Sequence, residues 1–228
     1  MTELKLELQL EKQELPIELD RLLLSFFKAS IANYSPELFE RLYNKKESVI
    51  KTYCWACYLP GARFDADKIR LKENRFTVTF SDADMGELFE FFNAFRMMQK
   101  IDYPLQQNSM RLTVIKAQRV PEINESEIII KMQSSLLVRE HRVEDNTDIY
   151  YTCEDPEFTE KMKENIKLVL ERKQIYLNMD GFSITPVKGK KIVAKVWGRP
   201  TNASIGIYRL TGSPRLLNML QLAGIGSR

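Results

Sequence analysis

An α+β fold of two tandem β-α-β-β-α-β units is what this sequence predicts, and three observations carry the prediction. Leu4, Leu6, Leu8 and Leu10 alternate with Lys5, Glu7, Gln9 and Glu11, the period of a strand with one buried face. Helical and strand-like spacings then alternate in an order that begins again after Val120-Pro121. The chain has 228 residues, 44% hydrophobic and 29% charged. That is enough for two domains of about 100 residues each, with the composition of an ordinary globular protein.

The elements follow in order. After the leucine strand, Pro16 precedes Leu19, Leu22, Leu23, Phe26, Phe27 and Ser30, spaced as an amphipathic helix. Ser35-Pro36 reads as an N-cap with proline in the first turn, opening a second helix that runs to about Tyr43. Residues 52–59 form an aromatic-rich strand, and residues 75–80 (RFTVTF) another, preceded by residues 68–72 across a Glu73-Asn74 turn. Met85, Leu88, Phe89, Phe92 and Phe95 give a helix, and residues 111–120 a closing strand. This completes a ferredoxin-like unit over residues 1–121. In residues 122–228, strands are expected over 127–139 and 148–153. A helix follows Asp155-Pro156 through Phe158, Met162, Ile166 and Leu170. Strands then fall near 182–186, 191–196 and 203–210, and Ser213-Pro214 opens a helix ending at Gly224. The last strand of this second ferredoxin-like unit is missing before Arg228; loss of a C-terminal segment is preferred to a sheet left open on one side.

Several classes are excluded. The longest apolar runs, LLLSFF at 22–27 and Ile128-Ile129-Ile130, are far too short to span a membrane, and the N-terminus has no secretory apolar block. Three cysteines do not make a disulfide framework, so a cytoplasmic protein with no membrane association is expected. No phosphate-cradling GxxxxGK, nucleophile elbow or paired metal carboxylates occur. Kinase, NTPase, serine hydrolase and two-metal nuclease chemistry are therefore set aside, and no cofactor or metal is expected.

Charge is unevenly distributed along the chain. Residues 1–120 carry 18 basic and 17 acidic residues, residues 121–180 carry 8 and 14, and residues 181–228 carry 8 basic residues and no acid. An acid-free stretch of 48 residues suggests an anionic partner, nucleic acid first, unless acids elsewhere in the fold face it. Its candidates for nucleic-acid contact are Lys188, Lys190, Lys191, Lys195, Arg199 and Arg209, with Lys28 in the first unit. At the chain end, Gly224, Gly226, Ser227 and Arg228 form a segment whose amides and guanidinium suit a phosphate; alone, Gly224 is also a helix C-cap and Gly226 a turn. Cys54 and Cys57 sit in a strand, where residues three apart face opposite ways, so the pair reads as structural. His141, in a charged stretch, reads as a surface residue. Tyr43, Lys45, Lys46 and Lys51 gather a phenol and three amines that either hold a phosphodiester or form a solvated basic loop.

The sequence resembles the CRISPR-associated endoribonucleases of the Cas-six family over essentially its whole length. The resemblance rests on KLELQLEKQELPIELDRLLLSFFKASI, KTYCWACYLP, RFTVTFSDAD, the strand start SSLLVRE and the terminal LAGIGSR. It implies repeat RNA of a precursor CRISPR transcript as partner. It implies metal-independent cleavage by 2′-hydroxyl attack, leaving 2′,3′-cyclic phosphate and 5′-hydroxyl ends. It also implies a second glycine cluster and a strand beyond Arg228, and leaves open association with a CRISPR effector complex and a monomeric or homodimeric state. Members place a histidine in the first helical region; here Tyr43 occupies about that position, and a phenol is a poor base at neutral pH. Tyr43, Lys45, Lys46 and Lys51 are accordingly the expected catalytic residues. The competing readings are a non-cleaving RNA-binding subunit of a CRISPR ribonucleoprotein and a protein-interaction protein that binds no RNA.

Overall fold

The computed structural model describes residues 1–43, 49–196 and 198–226. The chain divides into two compact units, Met1–Pro121 and Glu122–Arg228.

In the first unit, β1 (Thr2–Leu10) leads through β2 (Glu14–Pro16) into α1 (Leu19–Tyr34) and α2 (Pro36–Tyr43). β3 (Tyr53–Tyr58), β4 (Arg63–Phe64), β5 (Lys68–Arg70) and β6 (Arg75–Asp82) follow, then α3 (Met85–Met97), β7 (Asp102–Leu105) and β8 (Asn108–Arg119). The main sheet is antiparallel, ordered β3-β6-β1-β8-β7. β6 thus inserts between β1 and β3, the arrangement of interleaved βαβ units that defines the ferredoxin-like order. Leu4, Leu6, Leu8 and Leu10 are buried, each at most 2% exposed, beneath α1 and α3. Two helix starts carry side-chain caps: Ser35 Oγ accepts the Leu38 amide at 3.2 Å, and Asp84 Oδ1 accepts the Gly86 and Glu87 amides at 2.8 and 3.0 Å.

The packing centre is aromatic. Phe80 is fully buried, with ring centroids 5.3 Å from Phe27, 5.3 Å from Tyr53, 4.7 Å from Phe91 and 5.4 Å from Phe95. Tilted and edge-on contacts of this kind add to the burial energy of each ring.

In the second unit, β9 (Glu127–Lys131) is followed by the hairpin of β10 (Val138–Arg142) and β11 (Thr147–Tyr151), which forms its own two-stranded sheet. α4 (Phe158–Arg172), β12 (Ser183–Val196), β13 (Arg199–Thr211) and α5 (Pro214–Ala223) complete it. The sheet order β12-β13-β9 repeats β3-β6-β1 of the first unit. Phe158, Met162, Ile166 and Leu170 of α4 and Leu216, Leu217 and Leu220 of α5 bury against Ile184, Tyr208 and Leu210 of the sheet.

Four expectations change. Residues 127–139 are not one strand: β9 stops at Lys131, only Leu136 bridges to Ser204, and Val138 starts the separate hairpin. Residues 182–186 and 191–196 belong to a single strand, β12, with a bulge between Pro186 and Lys188. Lys68–Arg70 pairs with β2 and β4 rather than with residues 75–80. β7, which the sequence reading lacks, pairs along the outer edge of β8.

Phe80→Ala should destabilise the protein by about 3–5 kcal/mol, because four rings lose a shared partner that the backbone cannot replace. Urea unfolding followed by tryptophan fluorescence measures this; a loss below about 1 kcal/mol would show that the aromatic cluster collapses around the gap.

Candidate functional site

At the C-terminal end of α2, the Tyr43 ring packs against Phe39, centroids 5.4 Å apart. Its hydroxyl shares a 2.9 Å hydrogen bond with that of Tyr53, a fully buried residue of β3. Two ammonium groups approach the same ring: Lys28 Nζ from α1 lies 5.0 Å from the centroid and Lys51 Nζ 5.4 Å, within cation–π range. Lys51 Nζ also donates to the Val49 carbonyl at 2.9 Å. The structure therefore brings together Lys28, Tyr43 and Lys51; Lys45 and Lys46 lie outside the described residues.

Burial pushes the Tyr43 phenol up to about 12, only partly countered by the Tyr53 hydrogen bond, and the charges of Glu87 and Asp82 push the same way. A group that keeps its proton to that pH is no general base at neutrality. The Tyr43 ring is a packed platform beside two cations.

Beneath it lies a buried carboxyl absent from the sequence reading. Asp82 Oδ1 accepts from Thr52 Oγ1 at 2.8 Å and from the Asp84 amide at 2.9 Å, while Oδ2 is buried with no hydrogen-bond partner among the described residues. Burial raises its pKa to about 7, against the lowering effect of these two hydrogen bonds. Its only sequence signal is its place just before a capping aspartate, which does not disclose burial. Arg41 Nη2 pairs with Glu87 at 3.6 Å alongside. Cys57 packs on the core and Cys54 Sγ lies 3.1 Å from Ser81 Oγ, on the other face of β3. Among the described residues no three His, Cys, Asp or Glu side chains converge as a metal site.

In the second unit, the β12–β13 ladder sorts the cations. Lys188, Lys190 and, through the Val196 pairing, Arg199 share one face. Lys191 and Lys195 share the other, where Asp155 lies near enough to Lys191 for that charge to help hold its carboxyl low, after the hydrogen bonds from Thr152. Lys188 and Lys131 both pair with Ile207, so a β9 lysine stands across the sheet from a β12 lysine. Lys131 escaped the sequence reading because its own stretch is acidic. Arg209 meets Glu127 at 3.5 Å, so part of the acid-free segment is neutralised by an acid from elsewhere.

Gly224 caps α5 with φ +78°, its amide bonding the Leu220 carbonyl at 2.9 Å. Gly226 has φ +107°, and a Cβ there would lie 2.6 Å from the Leu137 carbonyl oxygen, so close backbone packing already requires glycine. Ser227 and Arg228 lie outside the described residues. His141 is exposed on β10 as expected, and its Nδ1 is 2.9 Å from Asp148.

Residues 118–228, essentially the second unit, match the family model of CRISPR associated protein Cas6, C-terminal. The second unit is a Cas6 C-terminal domain. Solved structures with this fold include an RAMP protein described as binding different RNA substrates, at TM-score 0.83 and 16% identity over 99% of this chain and 94% of that one. A Cas6-related protein from Pyrococcus furiosus gives 0.84 and 16% over 99% and 93%. A Cas6 product complex gives 0.71 and 16% over 99% and 95%. At such identity these likenesses show a shared fold. No curated protein matches the chain in sequence. Among the described residues no helix is long and apolar enough to cross a membrane.

The Asp82 carboxyl makes stability depend on pH. It keeps its proton to about pH 7 when folded and releases it near the ordinary aspartate value of 3.8 when unfolded. Its contribution is therefore complete at low pH and is lost as pH rises through 7. Wild-type stability should fall by about 1.4 kcal/mol per pH unit between pH 5 and 6 from this group, the slope halving by pH 7. Asp82→Asn should flatten the slope. Urea titrations at pH 5, 6 and 7 test it, and parallel profiles for the two proteins would remove Asp82 as the cause.

Proposed function

We propose that this protein binds CRISPR repeat RNA and cleaves the precursor transcript within the repeat. The observation that carries the reading is the pair of ammonium groups, Lys28 and Lys51, set on the Tyr43 ring of a chain whose second unit matches the Cas6 family model. A 2′-hydroxyl gives up its proton to solvent water and its oxygen attacks the adjacent phosphorus. The 5′-oxygen leaves and takes up a proton, giving a 2′,3′-cyclic phosphate and a 5′-hydroxyl. Negative charge grows on the phosphoryl oxygens through this step, and two lysines held against one rigid ring are suited to stabilise it. Lys51 or Lys28 can also supply the proton to the leaving oxygen. The reaction as proposed needs no metal.

RNA binding is assigned to the β12–β13 ladder, with Lys188, Lys190 and Arg199 on one face joined by Lys131 of β9, and Lys191 and Lys195 on the other. The same Tyr43 finding favours a second reading, a repeat-RNA-binding protein that does not cleave, because the first unit holds no histidine and its phenol is no base.

Incubation with repeat RNA in EDTA separates the two. Cleavage with cyclic-phosphate ends is expected, and intact RNA in EDTA and in magnesium alike would leave the binding reading. Lys28→Ala and Lys51→Ala should each slow single-turnover cleavage about 10²–10³-fold, with affinity falling much less. Tyr43→Phe, which keeps the ring, should stay within about threefold of wild type, since uncharged packing is retained. A loss from Tyr43→Phe as large as that from the lysine variants would restore the phenol as a proton-transfer group.

Binding should be electrostatic. Each phosphate contact removed, as in Lys190→Ala or Arg199→Ala, should lower the slope of log affinity against log salt by about 0.7. Salt titrations by fluorescence anisotropy give that slope directly; variants with the wild-type slope would place the phosphates elsewhere.

A further inference from the structure

We propose that the outer face of the β10–β11 hairpin is a ribonucleotide subsite, in which Tyr150 stacks on a base and His141 accepts a hydrogen bond from a 2′-hydroxyl. This rests on the RNA-binding reading above and adds a contact outside the basic segment.

Register defines the face. Arg139 stands opposite Tyr150 and His141 opposite Asp148, and residues opposite each other or two apart share a side of a hairpin. The alternate side is committed to α4. There Val138 is fully buried, and Glu140 accepts from Tyr151 Oη at 2.7 Å and from Lys161 Nζ at 2.5 Å. Asn165 of α4 fixes the β10 backbone as well, accepting the Arg139 amide at 3.2 Å and donating to its carbonyl at 2.7 Å. The hairpin is thus anchored from behind, with Arg139, His141, Asp148 and Tyr150 on its front.

The chemistry of that front suits a nucleotide. Asp148 can only accept, so its 2.9 Å contact requires the hydrogen on His141 Nδ1. In the neutral ring Nε2 is then an acceptor, and the side chain is 45% exposed. A 2′-hydroxyl is a donor of the right kind, and it separates RNA from DNA. Arg139 Nη1 lies 3.5 Å from the same carboxylate and offsets its charge, so the face does not repel a phosphodiester. Half-buried Tyr150 beside a guanidinium is a platform on which any base can stack. Residues 121–180 carry a net acidic charge, so charge counting directs attention away from this face, which works by stacking and hydrogen bonding.

The test measures affinity of the full chain for a single-stranded repeat RNA and for the same sequence as DNA. Tyr150→Leu should weaken RNA binding about five- to hundredfold, and Tyr150→Phe should restore it. His141→Ala and Asp148→Asn should weaken RNA binding while leaving DNA binding unchanged, so the RNA-to-DNA preference falls; His141→Gln, which retains an acceptor, should recover part of it. Equal losses for RNA and DNA with a lowered melting temperature would make the face merely structural and overturn the subsite. Wild-type affinity in the hairpin variants, with Lys190→Ala still weakened, would overturn the subsite alone. A wild-type protein that binds no RNA would overturn the RNA-binding reading and the subsite together.

Discussion

Strand β1 is hydrogen-bonded along both edges, to β6 and to β8, so the register of the first sheet is set from its centre outward. Four leucines on one side of that strand can bury only in one alignment; a slip of one residue would carry Lys5, Glu7 and Gln9 into the core. β6 inherits its register from β1, and β3 inherits it from β6, which brings Tyr53 and Trp55 beneath the helices next to Phe80. The position of Tyr53 in turn fixes where the hydroxyl of Tyr43 finds its partner. The geometry of the candidate active site is therefore a consequence of a period-two pattern in the first ten residues.

The same burial that stabilises the sheet selects the chemistry. An aromatic cluster large enough to hold α1 and α3 in place excludes water from the end of α2, and exclusion of water favours the neutral form of any acid. Tyr43 and Asp82 both move upward for this reason, the phenol out of the useful range and the carboxyl toward neutrality. Lys28 and Lys51, by contrast, set their ammonium groups over the face of the same ring, where its quadrupole favours positive charge. An environment that disables a phenol as a base is thereby compatible with ammonium groups as stabilisers of phosphoryl charge.

Much of this was legible in the sequence, for identifiable reasons. β1, α1, α2, β3, β6 and α3 lie where the sequence predicts them, because alternation, helical spacing and the cap at Ser35 agree locally. Lys28, Tyr43 and Lys51 were each singled out, but only the fold makes them neighbours. What failed was non-local. The pairing of Lys68–Arg70 with Glu14–Pro16 joins segments distant in the chain, whereas the local Glu73-Asn74 turn signal suggests a hairpin with residues 75–80. The break after Lys131 has a weak local signal in Gln133-Ser134-Ser135, which the apolar residues on either side outweigh. Asp82 could not be recognised as buried, because an aspartate between strand and helix is more often a solvated cap.

The acid-free segment shows why charge along a chain is not charge on a surface. Eight cations without an acid suggest a continuous basic face, yet alternation in β12 divides them by parity: Lys188 and Lys190 one way, Lys191 and Lys195 the other. The sheet then recruits residues from outside the segment. Lys131 joins the row through Ile207, Glu127 subtracts Arg209, and Asp155 tempers Lys191. A phosphate backbone following one face meets a set of cations drawn from three strands, chosen by register rather than by position in the sequence. The bulge between Pro186 and Lys188 is decisive, since it resets the parity of everything after it. If the ladder ran regularly through Val187, that residue would stand opposite Ile207, Lys188 and Lys190 would exchange sides with Lys191 and Lys195, and the cation facing Lys131 across Ile207 would be lost.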